Sequence, residues 1–262
     1  SDILLQLPIP GIVGISTEPY VNAASVKNEG WEFALGYNDQ WGDWTFGANV
    51  NFSKVKNEIL DLHGKDSWIT DWSINLEGHP INSYYGYVAD GLYRTQAEVD
   101  EANEKNSVGG GALKLGDVRY KDVSGPEGKP DGVVDTYDRT VIGNALPKWY
   151  GGITNTFNYK GIDFSFMLQF NYGNDIYNAT RLYATQTNTQ RRNQLAEVAD
   201  RWSPTNASNK VPRYNGYVVN DVYSRFVEDG SFLRLKNITL GYTLPHKWTR
   251  SFHASKLRIY AT

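Results

Sequence analysis

Arg225-Phe-Val-Glu-Asp-Gly-Ser-Phe-Leu-Arg-Leu-Lys-Asn-Ile-Thr-Leu-Gly-Tyr-Thr-Leu-Pro245 is the stretch whose reading decides the fold. Its second half alternates. Ile238, Leu240, Tyr242 and Leu244 fall on one face of an extended chain, and Asn237, Thr239, Gly241 and Thr243 on the other. An apolar face, a small polar face and an aromatic near one end are what a strand between lipid and water requires.

The same period recurs upstream. Trp31, Phe33, Leu35 and Tyr37 alternate with Glu32, Ala34, Gly36 and Asn38. After a turn at Asp39-Gln-Trp-Gly-Asp43, the apolar residues Trp44, Phe46, Ala48, Val50 and Phe52 alternate with Thr45, Gly47, Asn49, Asn51 and Ser53. This predicts one long hairpin. A second is expected from Lys148 to Gly173, turning at Tyr159-Lys-Gly161, with Ile162, Phe164, Phe166, Leu168, Phe170 and Tyr172 on one face. A third joins strands ending at Leu244 and starting at Leu257 through Pro245 to Lys256, and Ile3-Leu-Leu-Gln-Leu7 adds an opening strand. The short connections (39–43, 160–161, 245–256) alternate strictly with the long segments, about 8–27, 59–146 and 174–229. Short turns on one side and long loops on the other are the asymmetry of outer-membrane barrels.

The fold class read from this pattern is all-β: an arc of a large antiparallel transmembrane β-barrel with long extracellular loops. Residues 1–262 form part of such a barrel, with outer loops at about 59–146 and 174–229. Tyr37, Trp41, Trp44, Tyr159 and Tyr242, near strand ends on the short-turn side, are expected to form an aromatic girdle. A soluble surface glycan-binding β-sandwich is the alternative, because sandwich strands also alternate.

Composition narrows the function classes. Aromatic residues make up 14% of the chain, with 18 Tyr and 8 Trp against one Met, which suits β-structure with interfacial or sugar-facing rings. No apolar run of about 18 residues could cross a bilayer as a helix, which says nothing against strands. Cys is absent, removing disulfides and thiolate metal sites from these residues, and a net charge of −3 gives no case for nucleic acid. The four His are scattered, Gly109-Gly-Gly111 lacks a following Lys-Ser/Thr, and no G-x-S-x-G occurs, so no catalytic site is read and no enzyme is expected. Glu98, Asp100 and Glu101 read as a solvated face and Arg191-Arg192 as a solvent-facing basic spot. The chain opens and closes on strand-like runs, and the expectation is an internal piece of a longer protein.

Four blocks resemble the C-terminal barrel half of SusC/RagA-type TonB-dependent outer-membrane transporters. They are Leu4 to Pro10 with Val26-Lys-Asn-Glu-Gly-Trp-Glu-Phe33; Glu77-Gly-His-Pro-Ile-Asn-Ser-Tyr-Tyr-Gly-Tyr-Val-Ala-Asp-Gly-Leu-Tyr93; Gly116-Asp-Val-Arg-Tyr-Lys-Asp-Val123 continuing through Asp131-Gly132 to Asp138-Arg-Thr-Val-Ile-Gly-Asn144; and the opening stretch with Arg201-Trp-Ser-Pro204 before it. The resemblance implies a 22-stranded barrel in the outer membrane of a Gram-negative bacterium, facing outer-membrane lipid. It implies TonB-energised import of oligosaccharides or peptides beneath a SusD-like surface lipoprotein, with TonB contacted through an N-terminal part outside these residues.

Two groups of residues are candidates for contacts. Trp68, Trp72, Tyr84, Tyr85 and Tyr87, with Tyr93, lie in one long loop, and Tyr183 and Tyr217, with Tyr177, Tyr214 and Tyr223, in another; they suit sugar or lipoprotein contact, or small loop cores. Asp122, Ser124, Asp131, Asp135 and Asp138, with Gly132 at the turn, resemble an interrupted family loop of calcium-binding type. No cofactor is required by the sequence; Ca2+ is the one candidate, and a polar turn ordered by Asx hydrogen bonds without a metal is the other reading.

Overall fold

Tight turns set the wall of strands. The computed structural model describes residues 2–6, 20–62, 64–105, 108, 113–186, 193–208, 210–216 and 222–262, the side chains of 2–6, 20–23 and Phe252 excepted. Strands β1 (Asp2–Gln6), β2 (Tyr20–Trp41) and β3 (Trp44–Asp61) are followed by β4 (Ser67–Ile69), β5 (Ser73–Leu76), β6 (Ser83–Gly86) and β7 (Ala89–Leu92). Helix α1 (Gln96–Glu104) precedes β8 (Val118–Tyr120), β9 (Thr140–Gly143), β10 (Trp149–Tyr159), β11 (Ile162–Tyr172) and β12 (Asp175–Tyr177). Helix α2 (Ala179–Thr185), β13 (Val227–Asp229), β14 (Phe232–Thr243), the short helix α3 (His246–Thr249) and β15 (Arg258–Ala261) complete the chain. The large sheet runs β1-β2-β3-β10-β11-β14-β15.

The chain divides into two compact units. The wall unit comprises Lys27–Asn57, Leu146–Asn174 and Gly230–Thr262. Gly42 (φ 61°) occupies the first central position of the β2–β3 turn, where a primed turn needs positive φ. Lys160 and Gly161 are both left-handed (φ 45° and 88°), giving the other two-residue hairpin the backbone that matches strand twist. The first turn is tighter than the expected 39–43, and the second falls at 160–161 as expected. The third connection is not an open loop: α3 and a 3-10 turn at Arg250–Phe252 fill it.

β10 and β11 pair without interruption from Trp149↔Tyr172 to Tyr159↔Ile162. Ten steps at about 3.3 Å cover roughly 33 Å, or about 25 Å of height at a tilt near 40°, the height of a barrel's apolar band. β14 departs from strict alternation. Its register with β11 shifts between Met167 and Leu168, so that Lys236 and Asn237 together oppose Met167. This bulge puts Leu233 and Leu235 on the same face as Ile238, Leu240 and Tyr242 despite the odd spacing.

The second unit comprises Ser1–Val26, Glu58–Ala145 and Asp175–Asp229. β1 pairs antiparallel with Tyr20 to Ser25, so strand occupies the end of the segment expected to be loop from 8 to 27. The expected long loops are folded structures, with a sheet ordered β4-β5-β6-β9, the pairs β7-β8 and β12-β13, and α1 and α2. Thr95 and Glu98 form a capping box at the start of α1, so the expected solvated acidic face is a helix whose Glu98 has a fixed task. The main core gathers Tyr87, Leu92, Val118, Tyr120, Tyr177, Leu182, Val222, Tyr223 and Phe226; a smaller one holds Tyr93, Val99, Ala102 and Leu113. The expectations for His63, Gly109 to Gly111, Arg191, Arg192 and Tyr217 fall outside the described residues.

Candidate functional site

The wall has two chemically distinct faces, and cross-strand register fixes which residue lies on each. Reading across β3, β10, β11 and β14, one face carries the rows Phe52–Gly151–Phe170–Leu233, Val50–Ile153–Leu168–Leu235, Ala48–Asn155–Phe166–Ile238 and Phe46–Phe157–Phe164–Leu240. Trp44, Tyr159, Ile162 and Tyr242 close it at the short-turn end. The margins of this face are open, with Leu233 73% exposed, and its central rings and aliphatic side chains are half-buried. In water such a surface would be a large aggregation liability; against acyl chains it is solvated.

Aromatic rims border this face. Trp44 stacks on Tyr159 with ring centroids 4.2 Å apart, and Tyr37, Trp41 and Tyr242 are exposed at the same end, as the girdle expectation required. At the opposite end Trp149 meets Phe52 edge-on at 5.3 Å and lies within 6.5 Å of Tyr172, with Trp31 5.2 Å from Phe52. Between the rims, Phe52 and Phe170 approach to 6.0 Å over Gly151, where a Cβ would meet Asn51 O at 2.3 Å. Asn155, between Ala48 and Phe166, is a polar exception on the apolar face.

The other face is small and polar, with Arg234 and Lys236 of β14 among its members. Ala34, Gly36, Asn49, Asn51, Gly152 and Thr154 line a shallow hollow of about 270 Å³. Towards the short turns, opposite charges pair across the strands. The Arg258 guanidinium, on β15, binds the Asp163 carboxylate, on β11, through Nε (2.9 Å) and Nη2, reaching across the intervening β14 at Gly241. A Cβ on Gly241 would lie 2.6 Å from both Arg258 Nη2 and Asp163 Oδ2, so the glycine is the gap through which the pair closes. Sequence reasoning missed this clasp; an Asp register-paired with a mid-strand Gly was the available signal.

In the second unit the candidate aromatics divide. Tyr87 is buried and stacks on Tyr120 at 5.0 Å, and Trp72 meets Tyr177 edge-on at 4.6 Å, with Tyr84 6.0 Å from the same ring. Tyr93, Tyr177 and Tyr223 are buried too. These rings are core, because loops this long must bury apolar surface of their own. Burial pushes the Tyr177 phenol up to about 12. Trp68 and Tyr85 are half-buried, with Lys65 5.4 Å and Arg139 4.7 Å from their ring centres. Tyr183 is 44% exposed, and Tyr137 and Tyr214 are more so. Among the described loop aromatics, Trp68, Tyr85, Tyr137, Tyr183 and Tyr214 thus keep part of their rings at the surface.

The acidic segment works through backbone amides. Asp138 is fully buried; its Oδ1 accepts from Val123 N (2.6 Å) and Ser124 N (3.1 Å), and its Oδ2 from Asp135 N (2.8 Å). Asp135 caps Tyr137 N (2.8 Å), Asp131 accepts from Val133 N (3.0 Å), and Asp122 from Gly132 N. Among the described residues no three carboxylate or imidazole groups converge as a metal ligand set. The looped-out insertion does bring Asp122 and Gly132 together, but through a hydrogen bond from the Gly132 backbone amide across ten residues.

Ion pairs fix the loops elsewhere. Arg181 binds Glu197 through Nε (2.9 Å) and Nη2 (3.0 Å) and Glu228 through Nη1 (3.0 Å). Arg181 holds the Glu197 carboxyl below the usual range; hydrogen bonds from Asn178 and Arg181 do the same for Glu228. Asp117, buried against Arg213, is instead raised, because desolvation outweighs the pairing.

No protein-family model matches the chain. It is 34% identical over 256 residues to the TonB-dependent receptor P26 of Formosa agariphila, covering 94% of this chain and 25% of the relative. It is 26% identical to the TonB-dependent receptor SusC of Bacteroides thetaiotaomicron over 276 residues, covering all of this chain and 25% of SusC. Among solved structures it resembles the RagAB peptide transporter with a TM-score of 0.77 at 24% identity, covering 99% of this chain and 27% of that one. The chain thus spans about a quarter of the length of the curated relatives it matches. With a two-faced sheet bounded by aromatic rims and these relatives across nearly its whole length, the chain belongs to the SusC/RagA family of TonB-dependent receptors and forms part of an outer-membrane β-barrel.

Proposed function

We propose that this chain supplies wall and outer loops to an importer that takes up oligosaccharides or peptides, energised through TonB, beneath a SusD-like surface lipoprotein. The observation that carries the reading is the pair of faces on one sheet. The aromatic and aliphatic face suits lipid, and the amide, hydroxyl and glycine face suits a water-filled passage for a large polar cargo. Asn49, Asn51, Thr154 and Gln169 offer donors and acceptors, with Lys236 beside them, which suits molecules bearing hydroxyl, amide or carboxylate groups. The short turns face the periplasm and the folded long segments face outward, where Trp68, Tyr85, Tyr137, Tyr183 and Tyr214 meet cargo or the lipoprotein.

Deleting the full-length receptor should abolish uptake of at least one oligosaccharide or peptide pool, and collapsing the proton-motive force should do the same in the parent strain. A tagged receptor should co-purify with a surface lipoprotein. Undiminished uptake of every such pool in the deletion strain would overturn the assignment. The soluble sandwich loses its basis, because the apolar face that a second sheet should cover is exposed.

A further inference from the structure

We infer that the connection from Pro245 to Leu257 is a docking site for anionic phospholipid headgroups at the periplasmic boundary of the membrane. The inference rests on the proposed orientation. The connection carries Lys247, Arg250 and Lys256, together with His246 and His253, and contains no carboxylate, in a chain whose net charge is −3. Lys247 and Arg250 are exposed and form no ion pair among the described residues. Lys256 adjoins Asp163, but that carboxylate is already held by Arg258. The neighbouring short turn is different, since its Lys160 is neutralised by Asp43 at 3.2 Å.

Local structure holds these cations in place. Trp248 N donates to Pro245 O (2.9 Å), Ala254 N to Thr249 O (3.2 Å) and Leu244 N to Leu257 O (2.9 Å), and Thr249 is fully buried beneath the turn. His253 ends it in the left-handed region (φ 54°). Between Lys247 and Arg250 stands Trp248, 53% exposed. The connection follows directly from Tyr242, in the rim that also holds Trp41, Trp44 and Tyr159, so it continues an apolar surface already committed to lipid. An indole at the headgroup level flanked by unpaired cations matches a phosphodiester anion in both charge and depth.

The test uses the full-length receptor in nanodiscs of phosphatidylcholine doped with phosphatidylglycerol, with retained lipid counted by native mass spectrometry. Wild type should retain phosphatidylglycerol preferentially. Lys247→Gln and Arg250→Gln should each lower that retention about fivefold, while heat-modifiability on gels confirms a folded barrel. Equal retention by wild type and the folded double variant would overturn the site. Orientation is tested separately by a Ser251→Cys variant with an impermeant maleimide. Labelling only after the outer membrane is permeabilised supports the periplasmic placement. Labelling in intact cells would overturn the orientation itself, whatever the lipid counts show.

Discussion

The wall unit and the loop unit draw on the same aromatic residues and put them to opposite uses. In the wall, Trp44, Phe46, Phe157 and Phe164 stand on an open face and touch one another only along the sheet. In the loops, Tyr87, Tyr120, Tyr223 and Phe226 close over one another into a core from which solvent is excluded. Ring content alone therefore does not report burial. What separates the two is period: a ring at every second residue over ten residues makes a surface, and rings at irregular spacing fold inward.

The largest expected effect breaks the loop side of this contrast. Phe226 is 0% exposed and packs against Tyr223 at 5.2 Å and Tyr177 at 6.3 Å. Phe226→Ala should cost the loop unit about 3–5 kcal/mol. Hydrogen exchange on the full-length receptor should show loss of protection across 175–229 with the wall strands unchanged. Phe164→Ala, on the open face, should leave exchange in the loops untouched.

The next prediction compares neighbours in sequence. Leu168 lies on the apolar face and Met167 on the polar one. Leu168→Arg should destabilise the barrel by about 2–4 kcal/mol near the midplane, whereas Met167→Arg should fold normally and alter cargo passage. Equal destabilisation, measured by urea unfolding in lipid, would mean the faces are assigned wrongly.

How legible this was in the sequence differs between the same two regions. The hairpins 31–53 and 148–173 announced themselves because a strand's period of two is local and both faces are solvated by something other than protein. β14 was readable only after Asn237, because one bulged residue at Lys236 inverts the phase and hides Leu233 and Leu235. The loop interior was not legible: whether Tyr87 or Tyr183 is buried depends on contacts more than 100 residues away, such as the Tyr87–Tyr223 bridge. The acidic run from Asp122 to Asp138 was readable as a turn, yet which of two acceptor roles it takes is set by amide positions that composition does not encode.

Gly241 supplies a smaller, sharper test. Gly241→Ala would place a methyl 2.6 Å from Arg258 Nη2 and Asp163 Oδ2, opening the clasp between β11 and β15. The expected cost is about 1–3 kcal/mol. Asp163→Asn at the same clasp removes charge without adding volume, and should cost less. If the alanine variant is as stable as wild type, the clasp does not hold β15.

The smallest effects concern charge in the loops, and their sign can be worked out. Glu197 and Glu228 titrate below the ordinary glutamate value of 4.5 in the folded protein. Folding is therefore favoured by their pairing with Arg181 at pH above that unfolded value, and the advantage is lost as pH falls through the lower folded values. Loop protection should decline on acidification below about pH 4.5, and Arg181→Gln should flatten that decline while leaving the wall unaffected. The acidic segment 122–138 behaves differently if its carboxylates serve backbone amides, since the bonds to Val123, Ser124 and Asp135 need no cation. EDTA should then leave the thermal midpoint of the loop unit unchanged, whereas Asp138→Ala, which strands three half-buried amide donors at once, should lower it by several degrees. A midpoint that rises with added calcium and falls with chelation would instead restore the metal reading of that loop.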